Sequence, residues 1–76
     1  MNRIRRKALQ EIIDQLEELK ASLEELQEEE EEYRDNRPEN LQGSERYEAA
    51  EEAISNMEDA ASSLEDAISS IEAAAE

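Results

Sequence analysis

The sequence predicts an all-α fold, an antiparallel two-helix coiled-coil hairpin that dimerises into a four-helix bundle. In both halves of the chain, apolar residues recur at alternating spacings of three and four residues, which is the spacing of a coiled-coil seam. The residues between them are mainly Glu, Ala, Gln and Lys, which favour helix. Pro38 and Gly43, the only Pro and the only Gly, lie between the two halves. Two helices joined by a short connection are therefore predicted.

The first helix is predicted over residues 4–34. Its heptad pattern places one polar residue, Glu30, among the seam positions. The a positions hold Leu9, Leu16, Leu23 and Glu30, and the d positions hold Ile12, Leu19, Leu26 and Tyr33. Ile13 adds an apolar side chain at an e position. Because Pro38 disfavours helix at the residue before it, the helix is expected to end near Arg34.

The second helix is predicted over residues 45–74, after a loop at residues 35–43, with Ser44 as its N-cap. Its a positions hold Tyr47, Ile54, Ala61, Ile68 and Ala75, and its d positions hold Ala50, Met57, Leu64 and Ile71. Helices of equal length with a short connection indicate an antiparallel pair. Pairing residues whose numbers add up to 80 places every a residue opposite a d residue. In the loop, Leu41 is expected to cover the open end of this core.

An alanine strip on the second helix predicts oligomerisation. Alanines occupy every g position from 53 to 74, so the apolar band is wider than one partner helix needs. A chain of 76 residues also has a small core, which a second copy would complete. The predicted oligomer face comprises Ala53, Ile54, Ala60, Ala61, Ala67, Ile68 and Ala74. Homodimer and hetero-assembly both remain open, as do a closed hairpin and a domain-swapped pair of long helices.

Composition argues against several kinds of chemistry. The chain has no Cys and no His, which excludes disulfides, Cys/His zinc sites and acid–base catalysis by His. The five glutamates at residues 28–32 lack the loop geometry of a calcium site. We therefore expect no enzyme activity, no cofactor and no metal. Gln10, Glu11 and Asp14 interrupt the first apolar stretch, so no membrane segment is expected and a cytoplasmic location is predicted.

Paired glutamates on the first helix form the most prominent charged pattern. The chain has 23 acidic and 8 basic residues and a net charge of −15, so direct nucleic-acid binding is not expected. The pairs repeat every seventh residue, which spaces them about 10.5 Å apart along a helix. The candidate acidic contact array comprises Glu17, Glu18, Glu24, Glu25, Glu28, Glu31 and Glu32. Such an array is suited to a cationic protein surface that otherwise binds phosphates.

The segment PENLQGSERYEAAEEAI, followed by Ser- and Glu-rich heptads, resembles the small acidic helical-hairpin proteins of phages and mobile elements of Gram-positive gut bacteria. The resemblance implies an accessory protein of the bacterial host cell without known catalytic residues. Some small acidic phage proteins inhibit host defence by imitating DNA. The functional prediction is a non-catalytic protein-binding module, an acidic decoy that blocks a nucleic-acid-binding protein. The alternative is a structural or assembly coiled coil that acts through its Ala/Ile face and is only solubilised by its charges.

Overall fold

The protein is an all-α hairpin of two long helices, which confirms this part of the predicted fold class, whereas the dimer and its four-helix bundle stay predictions. The structure, a computed structural model, describes residues 1–36 and 45–76. Helix α1 spans Arg3–Asp35 and helix α2 spans Glu45–Ala74, and together they form a rod of 60 × 15 × 12 Å. Helix α1 includes Asp35, which the sequence analysis assigned to the loop. The predicted cap at Ser44 and the predicted contact of Leu41 lie outside the described residues.

Local interactions explain where α1 begins and ends. At its start, Asn2 Oδ1 accepts a hydrogen bond from the Arg5 N–H at 2.8 Å, the standard N-cap interaction. At its end, the Asn36 N–H donates to the Glu32 carbonyl at 2.9 Å. The first turn contains no acidic residue, although the helix dipole favours one there. Close to this first turn, Arg6 donates from Nη2 to the main-chain oxygen of Glu76 at 3.4 Å, beside the end of α2.

Polar contacts between the helices show that they are antiparallel. Lys20 Nζ lies 3.3 Å from Glu65 Oε2, and Gln27 Nε2 donates to Glu58 Oε1 at 3.5 Å. As the residue number increases along α1, the residue number of the contacted partner decreases along α2. The residue numbers of both pairs add up to 85, whereas the predicted pairing required 80. The sum of 80 applied to residues within the seam, whereas Lys20, Gln27 and their partners are long side chains on its flank, and the Arg6–Glu76 contact adds up to 82.

The predicted seam of α1 is half wrong. Its d residues Ile12, Leu19, Leu26 and Tyr33 are exposed, at 44%, 60%, 54% and 52% respectively. The residues that follow each of them turn toward α2 instead: Ile13 is buried, and Lys20, Gln27 and Arg34 are half-buried. The predicted a residues Leu9, Leu16, Leu23 and Glu30 are half-buried. Helix α1 is thus rotated by about 50° from the predicted orientation, half the angle between successive residues.

The seam of α2 agrees with the sequence pattern. Ala50, Ile54 and Ile68 are buried. The remaining a and d residues are half-buried: Tyr47, Met57, Ala61, Leu64, Ile71 and Ala75. Helix α1 alone is rotated, since the a and d residues of α2 are all buried or half-buried. Its rotation brings Lys20 and Gln27 against the acidic side of α2, where their hydrogen bonds and charge are favourable, at the cost of leaving leucines in water.

Candidate functional site

The two sides of the hairpin differ sharply in chemistry, and cross-helix contacts define them. Lys20 lies 3.6 Å from Glu24 Oε1 and 3.3 Å from Glu65 Oε2. Gln27 repeats this arrangement one heptad later and donates to Glu31 Oε1 at 3.1 Å and to Glu58 Oε1 at 3.5 Å. Glutamates from both helices therefore lie on the same side of the seam. Residues on the opposite flank of each helix must lie together on the other side.

The side that contains these contacts is called the acidic face. It consists of the glutamates flanking the seam on α1 and α2: Glu17, Glu24, Glu31, Glu51, Glu58, Glu65 and Glu72. All are exposed except Glu31, which is half-buried beside Gln27. Because the set repeats with the heptad, its two best-defined clusters are about 10.5 Å apart. The array predicted from sequence contained no residue of α2, so it missed half of this face.

The remaining members of the predicted array lie away from the seam. Glu18, Glu25 and Glu32 are exposed on the side of α1 opposite α2, and Glu28 is exposed between them and the acidic face. The structure therefore separates the predicted pairs. One glutamate of each pair faces the same direction as α2 carboxylates, and the other points outward. The heptad repeat of Glu58 and Glu65 is the sequence signal for the missed half, once the pairing of the helices is known.

Lys20 is the one lysine that contacts both helices. Its hydrogen bond to Glu65 and the nearby charges of Glu24 and Glu65 raise its pKa above the usual value for lysine. A raised pKa means that folding favours the protonated amine. The stabilisation is present at neutral pH and is lost as the pH rises through the raised pKa, above the ordinary value of 10.5.

We therefore expect Lys20→Met to reduce the loss of thermal stability between pH 7 and pH 11. The substitution removes the titrating amine that contacts Glu24 and Glu65. The measurement is the change in Tm between the two pH values, followed by circular dichroism. Lys7→Met serves as the control, because Lys7 is exposed and is the only other lysine in the chain. An equal effect of the two substitutions would contradict a specific contribution from Lys20.

The other side of the hairpin is called the uncharged face. On α1 it comprises Ala8, Ile12, Gln15, Leu19, Ser22 and Leu26, all exposed. On α2 it comprises the flank alanines Ala53, Ala60, Ala67 and Ala74, and beyond them Ala49, Asn56, Ser63 and Ser70. Within the described helices, charge returns only toward the ends of this face, at Arg5, Glu29 and Arg46. The face combines large apolar side chains on one helix with small ones on the other.

The oligomer face predicted from α2 divides between the core and this surface. Ile54 and Ile68 are buried against α1, and Ala61 is half-buried. These three residues therefore belong mainly to the interface within the hairpin. Ala60 and Ala74 are exposed, and Ala53 and Ala67 are half-buried at its edge. The exposed apolar contribution of α1, which the prediction assigned to the core, lies beside them.

The described residues contain no other candidate centre. No pocket is found in the part of the chain that the structure describes. Over residues 1–36 and 45–76, no three acidic side chains are grouped to hold a metal ion. Neither described helix has an apolar stretch long enough to cross a membrane.

The fold and its two faces define an antiparallel coiled-coil hairpin with one acidic and one uncharged side. No protein-family model, curated protein or solved structure matches the chain. The resemblance to phage hairpin proteins therefore stays a prediction.

Proposed function

We propose that the protein is a non-catalytic protein-binding module whose acidic face occupies the nucleic-acid-binding surface of another protein. The observation that supports this proposal is the convergence of carboxylates from two helices on one face. Glu24 and Glu65 both contact Lys20, and Glu31 and Glu58 both contact Gln27. Paired helices hold the backbone positions of these residues in a fixed array, which lowers the entropy lost when a cationic partner binds.

The charge density of the rod is comparable to that of a nucleic-acid strand. With a net charge of −15 over 60 Å, the protein has about one net negative charge per 4 Å, close to the 3.4 Å per phosphate along one DNA strand. A cationic groove that covers the acidic face would contact its seven carboxylates and would also be attracted by the field of the remaining charges. By the resemblance described above, we propose that the partner is a nucleic-acid-binding protein of bacterial host defence, located in the cytoplasm.

The experiment compares two variants that each lose four negative charges. The first neutralises the acidic face with Glu24→Gln, Glu31→Gln, Glu58→Gln and Glu65→Gln. The control neutralises outward positions with Glu11→Gln, Glu52→Gln, Asp59→Asn and Asp66→Asn, all exposed. Partners are captured from a bacterial lysate on the immobilised protein at low salt, with and without excess duplex DNA. Affinity for the captured protein is then measured as a function of salt.

We expect the wild-type protein to capture a nucleic-acid-binding protein that DNA releases. The acidic-face variant should bind far more weakly and with a smaller slope of log K against log salt, because it has lost four carboxylates that attract the cationic partner. The control variant should retain most of its affinity. Equal losses in both variants would show that only net charge matters. Capture that is insensitive to DNA and salt would contradict the decoy.

A second candidate function is supported by the exposed side chains of Ile12, Leu19 and Leu26. Under this alternative, the protein is an assembly coiled coil that acts through its uncharged face, and its carboxylates only keep it in solution. The two functions differ in their response to substitution. Ala60→Glu with Ala67→Glu should abolish binding under the alternative, whereas the acidic-face variant should leave it nearly unchanged.

A further inference from the structure

The uncharged face has a composition that a solvent-exposed coiled-coil flank does not require. Flanking positions in two-stranded coiled coils are usually occupied by Glu and Lys, which remain hydrated and set partner choice. In this chain 41% of residues are charged. Yet the flank of α1 presents Ile12, Leu19 and Leu26, and the flank of α2 presents alanines at the same heptad spacing. Exposed large apolar residues that recur every heptad beside a row of alanines indicate an interaction surface.

Charge favours a second copy of this chain as the occupant of that surface. Two copies each bear a net charge of −15, so most approaches bring carboxylates together. The uncharged face runs from residue 8 to residue 26 on α1 and from residue 49 to residue 74 on α2. Within these limits, none of the residues that form the face is charged. Association through this face leaves both acidic faces in water, where salt screens them.

The size of the face suits a small interface. Its uncharged stretch is about 27 Å long on α1 and about 38 Å long on α2, at 1.5 Å per residue. With the 15 Å width of the rod, it offers roughly 400–550 Å² per side, below the 800 Å² per partner of a standard interface. The hairpin also needs additional burial, because its buried apolar residues among those described are only Ile13, Ala50, Ile54 and Ile68. A second hairpin would remove Ile12, Leu19 and Leu26 from water and would enlarge a core that is small for an independent domain.

The positions of large and small residues specify how the two copies fit. A two-fold axis parallel to the helices places α1 of each chain against α2 of the other, in antiparallel orientation. Cross-helix contacts within the hairpin join residues whose numbers add up to 82 or 85, at Arg6–Glu76, Lys20–Glu65 and Gln27–Glu58, and contacts between copies are expected near these sums. Leu26 with Ala60, Leu19 with Ala67 and Ile12 with Ala74 each add up to 86. Every large side chain then meets an alanine.

We propose that two copies of this chain pair through their uncharged faces, with Leu26 and Leu19 of each chain packed on the partner's Ala60 and Ala67. The resulting four-helix bundle displays its two acidic faces on opposite sides. This inference concerns the face that the decoy proposal does not use. A monomeric protein that still binds a DNA-binding partner would disprove the dimer alone, and a dimer without such a partner would disprove the decoy alone.

The first test measures oligomeric state by sedimentation equilibrium. We expect the wild-type protein to have the mass of two chains at micromolar concentration. Leu19→Glu with Leu26→Glu should raise the dimer Kd roughly 100-fold or more, because both residues lie at the centre of the interface. Ser55→Glu with Ser62→Glu adds the same two charges at exposed positions away from the uncharged face and should leave the Kd within about threefold, because these charges stay hydrated.

The second test exchanges a large residue of α1 with a small residue of α2. It remains informative if the glutamate variant unfolds. Ala60→Leu places a large side chain opposite the partner's Leu26, so it should weaken the dimer by about tenfold or more, as overpacking does. Adding Leu26→Ala to Ala60→Leu restores one large and one small residue at this contact. The double variant has the amino-acid composition of the wild type and should recover most of its affinity.

Three results would overturn the proposal. The first is a wild-type protein that stays monomeric even at 100 times the micromolar concentration at which the dimer is expected. The second is a dimer that Leu19→Glu with Leu26→Glu does not weaken, as expected for exchange of whole helices between chains. The third is a dimer that Ala60→Leu strengthens, which would show apolar association without the proposed fit of large on small residues.

Discussion

Replacing Ile13 with Ala is expected to destabilise the hairpin by about 3 kcal/mol, because truncating a buried isoleucine loses burial and leaves a cavity. Ile13 is 2% exposed and is the only buried residue that α1 contributes to the described core. The loss is a large part of the stability available to a domain of this size. Urea denaturation followed by circular dichroism at 222 nm measures it.

Ile4→Ala is the matched control, because Ile4 lies on the same helix and is 81% exposed. Its substitution should change the free energy of unfolding by no more than about 0.5 kcal/mol. Ile12→Ala tests the orientation of α1 directly. At protein concentrations too low for association, it should cost less than Ile13→Ala. A larger loss of stability for Ile12→Ala than for Ile13→Ala would support the seam predicted from sequence and would contradict the rotation of α1.

Reversing the charge of Lys20 is expected to produce the second large loss of stability. Lys20→Glu would place a third carboxylate beside Glu24 and Glu65, which lie 3.6 Å and 3.3 Å from the amine of Lys20. Like charges in such proximity repel each other, and α2 prevents the new side chain from moving fully into water. The Tm should therefore fall by more than it does for the uncharged substitution Lys20→Gln.

A charge exchange shows whether the effect comes from this particular contact. Adding Glu65→Lys to Lys20→Glu restores an attractive pair across the helices and should recover most of the lost Tm. Adding Glu72→Lys instead changes the net charge by the same amount one heptad away and should recover less. Equal recovery by the two double variants would mean that α1 and α2 are not paired as the structure has them.

Agreement between sequence and structure is closest where only one arrangement satisfies the pattern. On α2, the large apolar residues occur only at seam positions and the charged residues do not, so Ile54 and Ile68 have no alternative to the core. The start of α1, predicted at residue 4 and observed at Arg3, depends only on neighbouring residues, because Asn2 Oδ1 accepts a hydrogen bond from the Arg5 N–H. Local preference and heptad spacing are properties of the chain itself, and they predicted two helices without reference to their contacts.

The orientation of α1 depended on what α2 places opposite it. Ile12 and Ile13 are adjacent in sequence and equally apolar, so hydrophobic spacing alone cannot decide which one is buried. The choice follows from cross-helix contacts, in which Lys20 and Gln27 reach Glu65 and Glu58. Those contacts couple residues far apart in the chain, and a heptad pattern contains no information about them.

The acidic face and the uncharged face also depend in part on the sequence alone and in part on the contacts between the helices. The sequence by itself determined a helical hairpin, its high negative charge, and the heptad rows of glutamate, alanine and leucine. Only the tertiary structure decided which rows lie together: glutamates of both helices on one side, and the leucines of α1 with the alanines of α2 on the other. The physical reason is that helix rotation and axial displacement are set by the sum of many contacts between helices, whereas helix formation is largely a local property.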